Sequence, residues 1–240
     1  MLRSALPRLH CSARMFPVAA ALCATHPAAA RLREDEQLWL QVNTNVKLTK
    51  KARITLEQIA RFGDRPDGLY QTEFGAVLGY RVADNVELGL GYRRVGFHNG
   101  NNAADEDRVR QQVVATFGRV FTRFRVDERF HTQQPGVGIR IRPLIRYNLP
   151  IGARKGFGLF ASHESFFLPN STRWGQRSGY ERMRNIVGVT VPIGRAISAD
   201  IGYLNQYRLA RGGASAQMDH ALTVQLTLNF SDLIAPHADD

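Results

Sequence analysis

The amino-acid sequence predicts an all-β protein, an antiparallel up-and-down transmembrane β-barrel of 10–12 strands. From Leu69 to Tyr92 apolar and polar residues alternate with a period of two around a short turn at 83–85, which indicates a hairpin of two long strands. The polar row of this hairpin holds charged residues and glycines, as the interior of a barrel does. The apolar row, bracketed by Tyr70 and Tyr80, would be about 33 Å long, and a tilt of about 40° leaves about 25 Å. That is the height of the apolar band on an outer-membrane barrel.

The same alternation recurs along the rest of the chain and defines the strands in order. They are predicted at 38–48, 53–62, 69–82, 86–93, 108–117, 123–130, 137–149, 157–168, 182–191, 197–207 and 220–230. The connections alternate between short and long, the pattern of outer-membrane barrels. Alternation gives eleven strands, but bacterial single-chain barrels normally have an even number. We therefore expect ten or twelve, with the first strand in doubt.

The two ends of the chain differ from the alternating region. Residues 1–30 are typical of a secretory signal peptide, with three arginines and no acidic residue before the apolar segment 15–24 and small residues at 28–30. The alternative is a buried N-terminal helix, but no polar face accompanies the apolar segment. We expect residues 31–230 to form a single barrel domain and 231–240 a polar C-terminal tail. Export through a cleaved signal peptide would place the protein in the outer membrane of a Gram-negative bacterium.

Composition excludes several other classes of protein. A hydrophobic fraction of 44% and a mean hydropathy of -0.27 are too low for a helical membrane protein, whereas a barrel exposes only alternate residues to lipid. Both cysteines, Cys11 and Cys23, lie in the signal segment, which excludes disulfides and cysteine zinc sites from the mature chain. The histidines show no metal-ligand spacing, so we expect no metal and no cofactor.

The net charge of the chain is +11, and removal of the signal segment with its three arginines lowers it to +8. A basic chain can bind nucleic acid. Here, however, the arginines alternate along strands instead of clustering on one helix or loop, and the protein is predicted to be exported. We therefore expect no nucleic-acid partner.

The strongest candidate site is a set of charged residues on the polar faces of neighbouring strands. This predicted lumen network consists of Arg108, Arg110, Arg123, Arg125, Asp127, Arg129, Arg140, Arg142, Arg146, Arg184, Glu57, Glu73, Glu87 and Glu164. Arginine forks pair with carboxylates through two parallel hydrogen bonds. We expect a packed ion-pair network that fills a narrow barrel. The alternative is a basic lumen that binds or conducts anions.

A second candidate is the pair His163 and Ser165, which a two-residue spacing places on one face of a strand. It resembles the arrangement in outer-membrane lipid A deacylases, in which a histidine activates a serine and a carboxylate orients the histidine. Glu181 or Glu128 would have to supply that carboxylate, and neither spacing favours it. The alternative is a pair of interfacial polar residues near a strand end, and the sequence favours that non-enzymatic interpretation.

Several short motifs, in their order along the chain, resemble the domain-of-unknown-function family 2490. They are Glu36-Gln37-Leu38-Trp39, Leu56-Glu57-Gln58, Gly91-Tyr92-Arg93-Arg94, the run 123–129, and the spacing of Arg140, Arg142 and Tyr147. The resemblance covers roughly Glu36 to Phe230 and implies an outer-membrane β-barrel of about this length. The family has no established activity, so the resemblance implies a fold and no chemistry.

The sequence therefore predicts an outer-membrane β-barrel, either structural or a narrow transport barrel with an arginine-rich lumen. One alternative is an outer-leaflet lipid-modifying enzyme, and another is a soluble periplasmic β-sandwich that binds a ligand. The expected partners are outer-membrane lipid and, during biogenesis, the barrel-assembly machinery. The sequence sets no oligomeric state.

Overall fold

The computed structural model describes residues 32–64, 68–99, 103–152 and 156–230. The predicted signal peptide and C-terminal tail lie outside the described residues. Within those ranges the chain forms one closed barrel of eleven strands, which confirms the all-β barrel. The strands are β1 (Arg33–Lys47), β2 (Ala52–Gly63), β3 (Gly68–Ala83), β4 (Val86–Phe97), β5 (Glu106–Phe117), β6 (Val120–His131), β7 (Val137–Pro150), β8 (Gly158–Leu168), β9 (Gly179–Pro192), β10 (Ile197–Arg208) and β11 (Gln217–Asn229). None of the described residues forms a helix long and apolar enough to cross a membrane.

Strand β1 closes the barrel by pairing in parallel with β11, whereas the other neighbouring strands pair antiparallel. Arg33 stands opposite Gln217, and Asn45 stands opposite Asn229. An up-and-down chain with an odd number of strands begins and ends in the same direction, so its closing pair must be parallel. The count of eleven from alternation is therefore correct, and the expectation of an even number is wrong. A parallel ladder also satisfies the backbone hydrogen bonds at the seam.

The barrel has two different ends. At the short-turn end the connections are 48–51, 84–85, 118–119, 151–157 and 193–196. At the long-loop end they are 64–67, 98–105, 132–136, 169–178 and 209–216. Because the closing pair is parallel, β1 begins at the long-loop end and β11 finishes at the short-turn end.

The outer face of the sheet is apolar and the inner face is charged, which is the reverse of a water-soluble domain. Large apolar side chains are exposed on the outside, with Phe74 at 65% and Leu90 at 58%, whereas Asp127 and Arg110 are at most 1% exposed inside. Soluble proteins almost never bury such charges without partners. The predicted alternative of a β-sandwich is wrong, because one closed sheet surrounds these charges where a sandwich packs two apolar faces together.

Tyr70 departs from the predicted outward apolar row. The β2–β3 register shifts between Arg61 and Phe62, which leaves Tyr70 as the extra residue of a β-bulge. Tyr70 is buried, and its hydroxyl donates to Gln37 Oε1 at 2.8 Å. The bulge therefore turns Tyr70 into the lumen, a local change that a strict period of two does not predict.

Candidate functional site

Asp127 on β6 is the most deeply buried carboxylate of the predicted network. Its Oδ2 accepts hydrogen bonds from Arg140 Nη2 at 2.7 Å and Arg142 Nη1 at 3.3 Å. Arg140 stands directly opposite Asp127 in the β6–β7 register, and Arg142 lies two residues further along β7. The period of two places both guanidinium groups on the inner face with the carboxylate.

Glu164 on β8 extends this network around the barrel. It forms ion pairs with Arg142 at 3.0 Å, Arg123 at 2.7 Å and Arg184 at 3.3 Å. These arginines come from β7, β6 and β9, so one carboxylate connects four strands. Hydrogen bonds between charged groups are short and strong, and here they link the neighbouring strands β6 to β9 along the wall of the lumen.

A second part of the network involves β2, β3, β4 and β5. Arg93 donates to Glu57 Oε2 at 2.7 Å and also pairs with Glu73. Arg110 pairs with Glu57, and Arg61 pairs with Glu73 at 2.8 Å. The predicted network omitted Arg61 and Arg93. The sequence did carry a signal for Arg93, because it follows Glu87, Gly89 and Gly91 on the polar row of strand four.

A third group of buried side chains lies at the long-loop end and includes a loop residue. Glu106 at the start of β5 pairs with Arg108 at 2.8 Å and with Arg129. The side chain of Gln176, from loop 169–178, accepts from Arg129 at 3.0 Å and donates to the Ile139 carbonyl oxygen at 3.1 Å. The loop therefore folds into the barrel mouth. Glu106 and Gln176 lie outside the predicted strands, so alternation did not identify them.

Near the seam, Asp219 on β11 is completely buried. It accepts hydrogen bonds from Gln206 Nε2 and Gln217 Nε2, each at 2.5 Å, and lies 3.6 Å from Arg208. Asp219 directly precedes the predicted final strand and was therefore missed.

Aromatic rings contact several of the inward arginines. The ring centroid of Phe166 lies 4.7 Å from Arg142 Cζ and 5.1 Å from Arg184 Cζ, and Trp39 lies 4.6 Å from Arg184 Cζ. Such contacts stabilise a cation that is removed from water. They also explain why the predicted strand at 157–168 alternates poorly, since its inner face carries aromatic rings such as Phe160 and Phe166.

The buried groups nearest the long-loop end fill that part of the lumen, which we call the closed half. Its buried polar members are Glu73, Glu106, Arg108, Arg110, Asp127, Arg140, Gln176, Gln206 and Asp219. Each is at most 6% exposed. Packed side chains of this kind occupy the interior of narrow barrels.

The other half of the lumen holds a cavity of about 550 Å³, which we call the vestibule. Its lining includes the arginines at 53, 61, 93, 123, 125, 142, 146 and 184 and the carboxylates Glu57, Glu87, Glu164 and Asp200. Arginines therefore outnumber carboxylates by eight to four on its wall. Asn45, Arg53 and Glu87 also border a smaller cavity beside the β1–β2 turn, so the vestibule extends to the short-turn end.

Most vestibule arginines have a carboxylate partner, but Arg125 does not. Arg146 pairs with Asp200 at 2.6 Å and Arg53 pairs with Glu87 at 2.9 Å. Arg125 is 4% exposed and, among the residues that the structure describes, donates only to Gln112 Oε1, at 2.8 and 3.0 Å. Within the described residues no carboxylate lies within 4.0 Å of its guanidinium.

The position of Arg125 in the sheet makes this unpaired charge more costly. It stands directly opposite Arg142 in the β6–β7 register. Like charges facing each other in a partly desolvated space repel. A bound anion at this point of the vestibule would relieve that repulsion.

His163 and Ser165 lie on the outer face of β8, away from the lumen. Ser165 Oγ lies 2.9 Å from His163 Nε2, and Asn185 Oδ1 on β9 lies 2.7 Å from His163 Nδ1. The third residue of this hydrogen-bonded group, after Ser165 and His163, is therefore Asn185. Sequence reasoning missed it because its place opposite His163 depends on the β8–β9 register.

The two glutamates considered as partners for His163 lie elsewhere. Glu181 forms an ion pair with Arg182, and Glu128 on β6 accepts a hydrogen bond from Gln111 at 3.2 Å. Neither of these contacts involves His163. No carboxylate among these two therefore orients His163, and the contact of its Nδ1 is the amide of Asn185.

Comparison with known proteins identifies a family for the chain. A family model described as protein of unknown function (DUF2490) matches residues 36–217. The chain belongs to this family. An uncharacterized protein of Methylorubrum extorquens is 31% identical over 211 residues, which cover 85% of this chain and 91% of that protein. The resemblance of the short motifs to the family is confirmed.

Two solved structures are similar to this barrel. One comes from work entitled "Unveiling the Mechanism Behind the in-meso Crystallization of Membrane Proteins". Its sequence is 13% identical, its TM-score is 0.40, and the match covers 77% of this chain and 79% of that chain. The other is the siderophore receptor PirA from Pseudomonas aeruginosa, 14% identical with a TM-score of 0.26 over 76% of this chain. This chain spans only 35% of that receptor.

Proposed function

We propose that this protein is an outer-membrane β-barrel of a Gram-negative bacterium that is closed to free diffusion and binds a small anionic solute in its vestibule. The division of the lumen supports this proposal. Buried ion pairs fill the closed half, while the vestibule carries four carboxylates and eight arginines, one of which is the unpaired Arg125. Short turns of outer-membrane barrels face the periplasm, so the vestibule would take up its solute from that side.

The outer face supports the membrane setting. Exposed apolar residues continue from strand to strand around it, for example Leu78 on β3, Leu90 on β4, Ile145 on β7 and Leu222 on β11. A contiguous apolar surface of this kind on a soluble monomer would cause aggregation. Contact with lipid would bury it.

Cell fractionation tests the location. We expect the protein in the outer-membrane fraction, with an N-terminus that begins after Ala30, and with gel mobility that changes on heating as it does for closed membrane barrels. Edman sequencing of the recovered band would identify the cleavage site. Recovery of the protein wholly in the soluble periplasmic fraction would contradict the membrane setting.

Planar bilayers test the closed half. We expect purified protein to produce no steady ion current, because buried side chains such as Asp127, Arg110 and Gln206 leave no room for a hydrated ion. The matched control is a heat-denatured sample of the same protein, added to the bilayer in the same way. Steady anion-selective channels would show that the lumen is open and that the alternative of a conducting basic pore is correct.

Tryptophan fluorescence tests anion binding. Trp39 lines the vestibule and the only other tryptophan is Trp174 in a loop, so a Trp174→Phe protein reports from the vestibule alone. We expect pyrophosphate, at constant ionic strength, to change this signal saturably. Arg125→Gln in the same background should weaken the affinity about tenfold or more, since a charged hydrogen bond contributes about 1.5–3 kcal/mol.

The control for this titration is Arg94→Gln, which removes an exposed arginine from the outer face. It should leave the pyrophosphate titration unchanged. Equal weakening by Arg94→Gln and Arg125→Gln would indicate screening by net charge and would contradict a specific site in the vestibule.

A further inference from the structure

We propose that Ser165, His163 and Asn185 form an esterase-type site on the outer face of the barrel that acts on ester-linked acyl chains of a membrane lipid. The lipid substrate depends on the membrane setting proposed above, whereas the chemistry of the three side chains does not. The network in the lumen takes no part in it.

The hydrogen-bond geometry sets the histidine tautomer. Asn185 Oδ1 lies 2.7 Å from His163 Nδ1, and an amide oxygen can only accept, so Nδ1 carries the proton. Nε2 is then a lone-pair acceptor 2.9 Å from Ser165 Oγ. This is the tautomer that a general base requires to remove the serine proton.

The strands hold these groups in place. His163 and Ser165 are two residues apart on β8, so the sheet keeps them on one face. Asn185 stands directly opposite His163 in the β8–β9 register. A site on paired strands has little freedom to move, which favours a fixed geometry for catalysis.

Tyr180 provides a candidate donor for the oxyanion. Its hydroxyl lies 3.2 Å from Ser165 Oγ, and its ring packs on Phe167 with centroids 4.9 Å apart. A carbonyl oxygen bound beside Ser165 would come within reach of this hydroxyl. Tyrosine is one of the side chains that stabilise tetrahedral oxyanions.

The surroundings of the site suit a lipid ester. Ile145, Phe167 and Val187 flank it on three strands and are 52%, 42% and 55% exposed. Such a surface would accommodate an acyl chain running along the barrel. Ser165 lies three residues before the end of β8 at the long-loop end, where the polar part of an outer-leaflet lipid would meet the barrel.

The reaction needs no cofactor or oxidant. Ser165 Oγ attacks the ester carbonyl carbon while its proton passes to His163 Nε2, and Tyr180 donates to the oxyanion. The bond from that carbon to the alcohol oxygen then breaks, and the departing alcohol takes the proton from Nε2. Water attacks the acyl-serine, gives a proton to Nε2, and releases the fatty acid as Ser165 regains its proton.

The test uses the full-length protein folded in detergent and in phosphatidylcholine vesicles, with a long-chain fluorophosphonate as the probe. We expect peptide mass spectrometry to locate the label on Ser165, and p-nitrophenyl myristate to be hydrolysed. Ser165→Ala should abolish both, and His163→Ala should slow labelling about 100-fold or more, the usual contribution of a general base. The exposed loop residue Ser178 supplies the control, and Ser178→Ala should label normally.

Asn185 acts as a positioning residue, and two variants test that role. Asn185→Asp keeps an acceptor for the Nδ1 proton and should retain labelling within a few-fold, whereas Asn185→Leu should reduce it about tenfold or more. Gel mobility before and after heating establishes that each variant is folded. Equal labelling of Asn185→Leu and the unchanged protein would overturn the triad.

The outcomes separate this inference from the membrane proposal. A folded, outer-membrane protein with no label on Ser165 overturns the esterase site and leaves the barrel proposal standing. A soluble protein that labels at Ser165 supports the nucleophile and overturns both the membrane setting and the lipid substrate. Label on Ser165 together with fatty-acid release from the vesicles supports the whole inference.

Discussion

Replacing Asp127 with asparagine is expected to destabilise the folded barrel by about 3–5 kcal/mol, the usual cost of removing one partner from a buried ion pair. The reason is specific to Arg140. Arg142 retains Glu164 when Asp127 is neutral, but Arg140 has no other carboxylate within 4.0 Å among the described residues. A buried guanidinium would then be left without a counter-charge.

Urea unfolding in detergent micelles measures this change in stability. The fraction of folded barrel at each urea concentration is read from the heat-modifiable gel mobility. The control is Asp107→Asn, which disrupts an exposed ion pair with Arg94 on the outer face and should cost less than about 1 kcal/mol. Asp127→Asn combined with Arg140→Gln removes both charges and should recover part of the loss. Equal stability of the two single asparagine variants would show that Asp127 does not hold the network together.

Leu226→Arg is expected to impair assembly far more than Thr227→Arg does. The two positions are adjacent on β11 and point to opposite faces: Thr227 lines the vestibule, and Leu226 lies between Val42 and Ala199 on the outer face. An arginine at the bilayer midplane costs about 2–4 kcal/mol. An additional arginine in the water-accessible vestibule can keep its hydration.

The yield of folded barrel in outer-membrane fractions, measured for both variants at matched expression, checks this difference. Thr227→Arg also serves as the control for any general effect of added positive charge. Equal yields for the two variants would refute the assignment of faces on β11 and, with it, the contact of the outer surface with lipid.

The narrowness of the barrel explains why its inward charges form a network of ion pairs. Alternate residues of the strands are apolar and face outward, so the inward row carries the charged side chains. A closed half filled by charged groups needs each charge to find a partner, since an unpaired one costs several kcal/mol. Glu164 and Asp127 satisfy five arginine contacts between them. In the vestibule, Arg125 has no such partner among the described residues and donates to the neutral Gln112.

The alternation of apolar and polar residues was sufficient to predict much of the fold, because side-chain direction along a strand is a local property. A period of two sets the direction of each side chain relative to its own strand. Phe124 and Arg125 therefore point to opposite faces whatever the rest of the chain does. The bulge at Tyr70 shows the limit of this reasoning, since one extra residue changes the face of a side chain without disturbing the pattern around it.

The amino-acid sequence by itself determined the alternating segments that form strands, the apolar outer and charged inner faces, and the family of this protein, whereas the strand number of eleven was decided by the closed barrel. The tertiary structure alone decided the parallel β1–β11 closure, the division of the lumen into a closed half and a vestibule, and the contact of Asn185 with His163. The physical reason is that side-chain direction follows from neighbouring residues, whereas contacts across the barrel follow from the register of strands that are distant in sequence. Arg146 and Asp200 are 54 residues apart and meet only because β7, β8, β9 and β10 are aligned in that register.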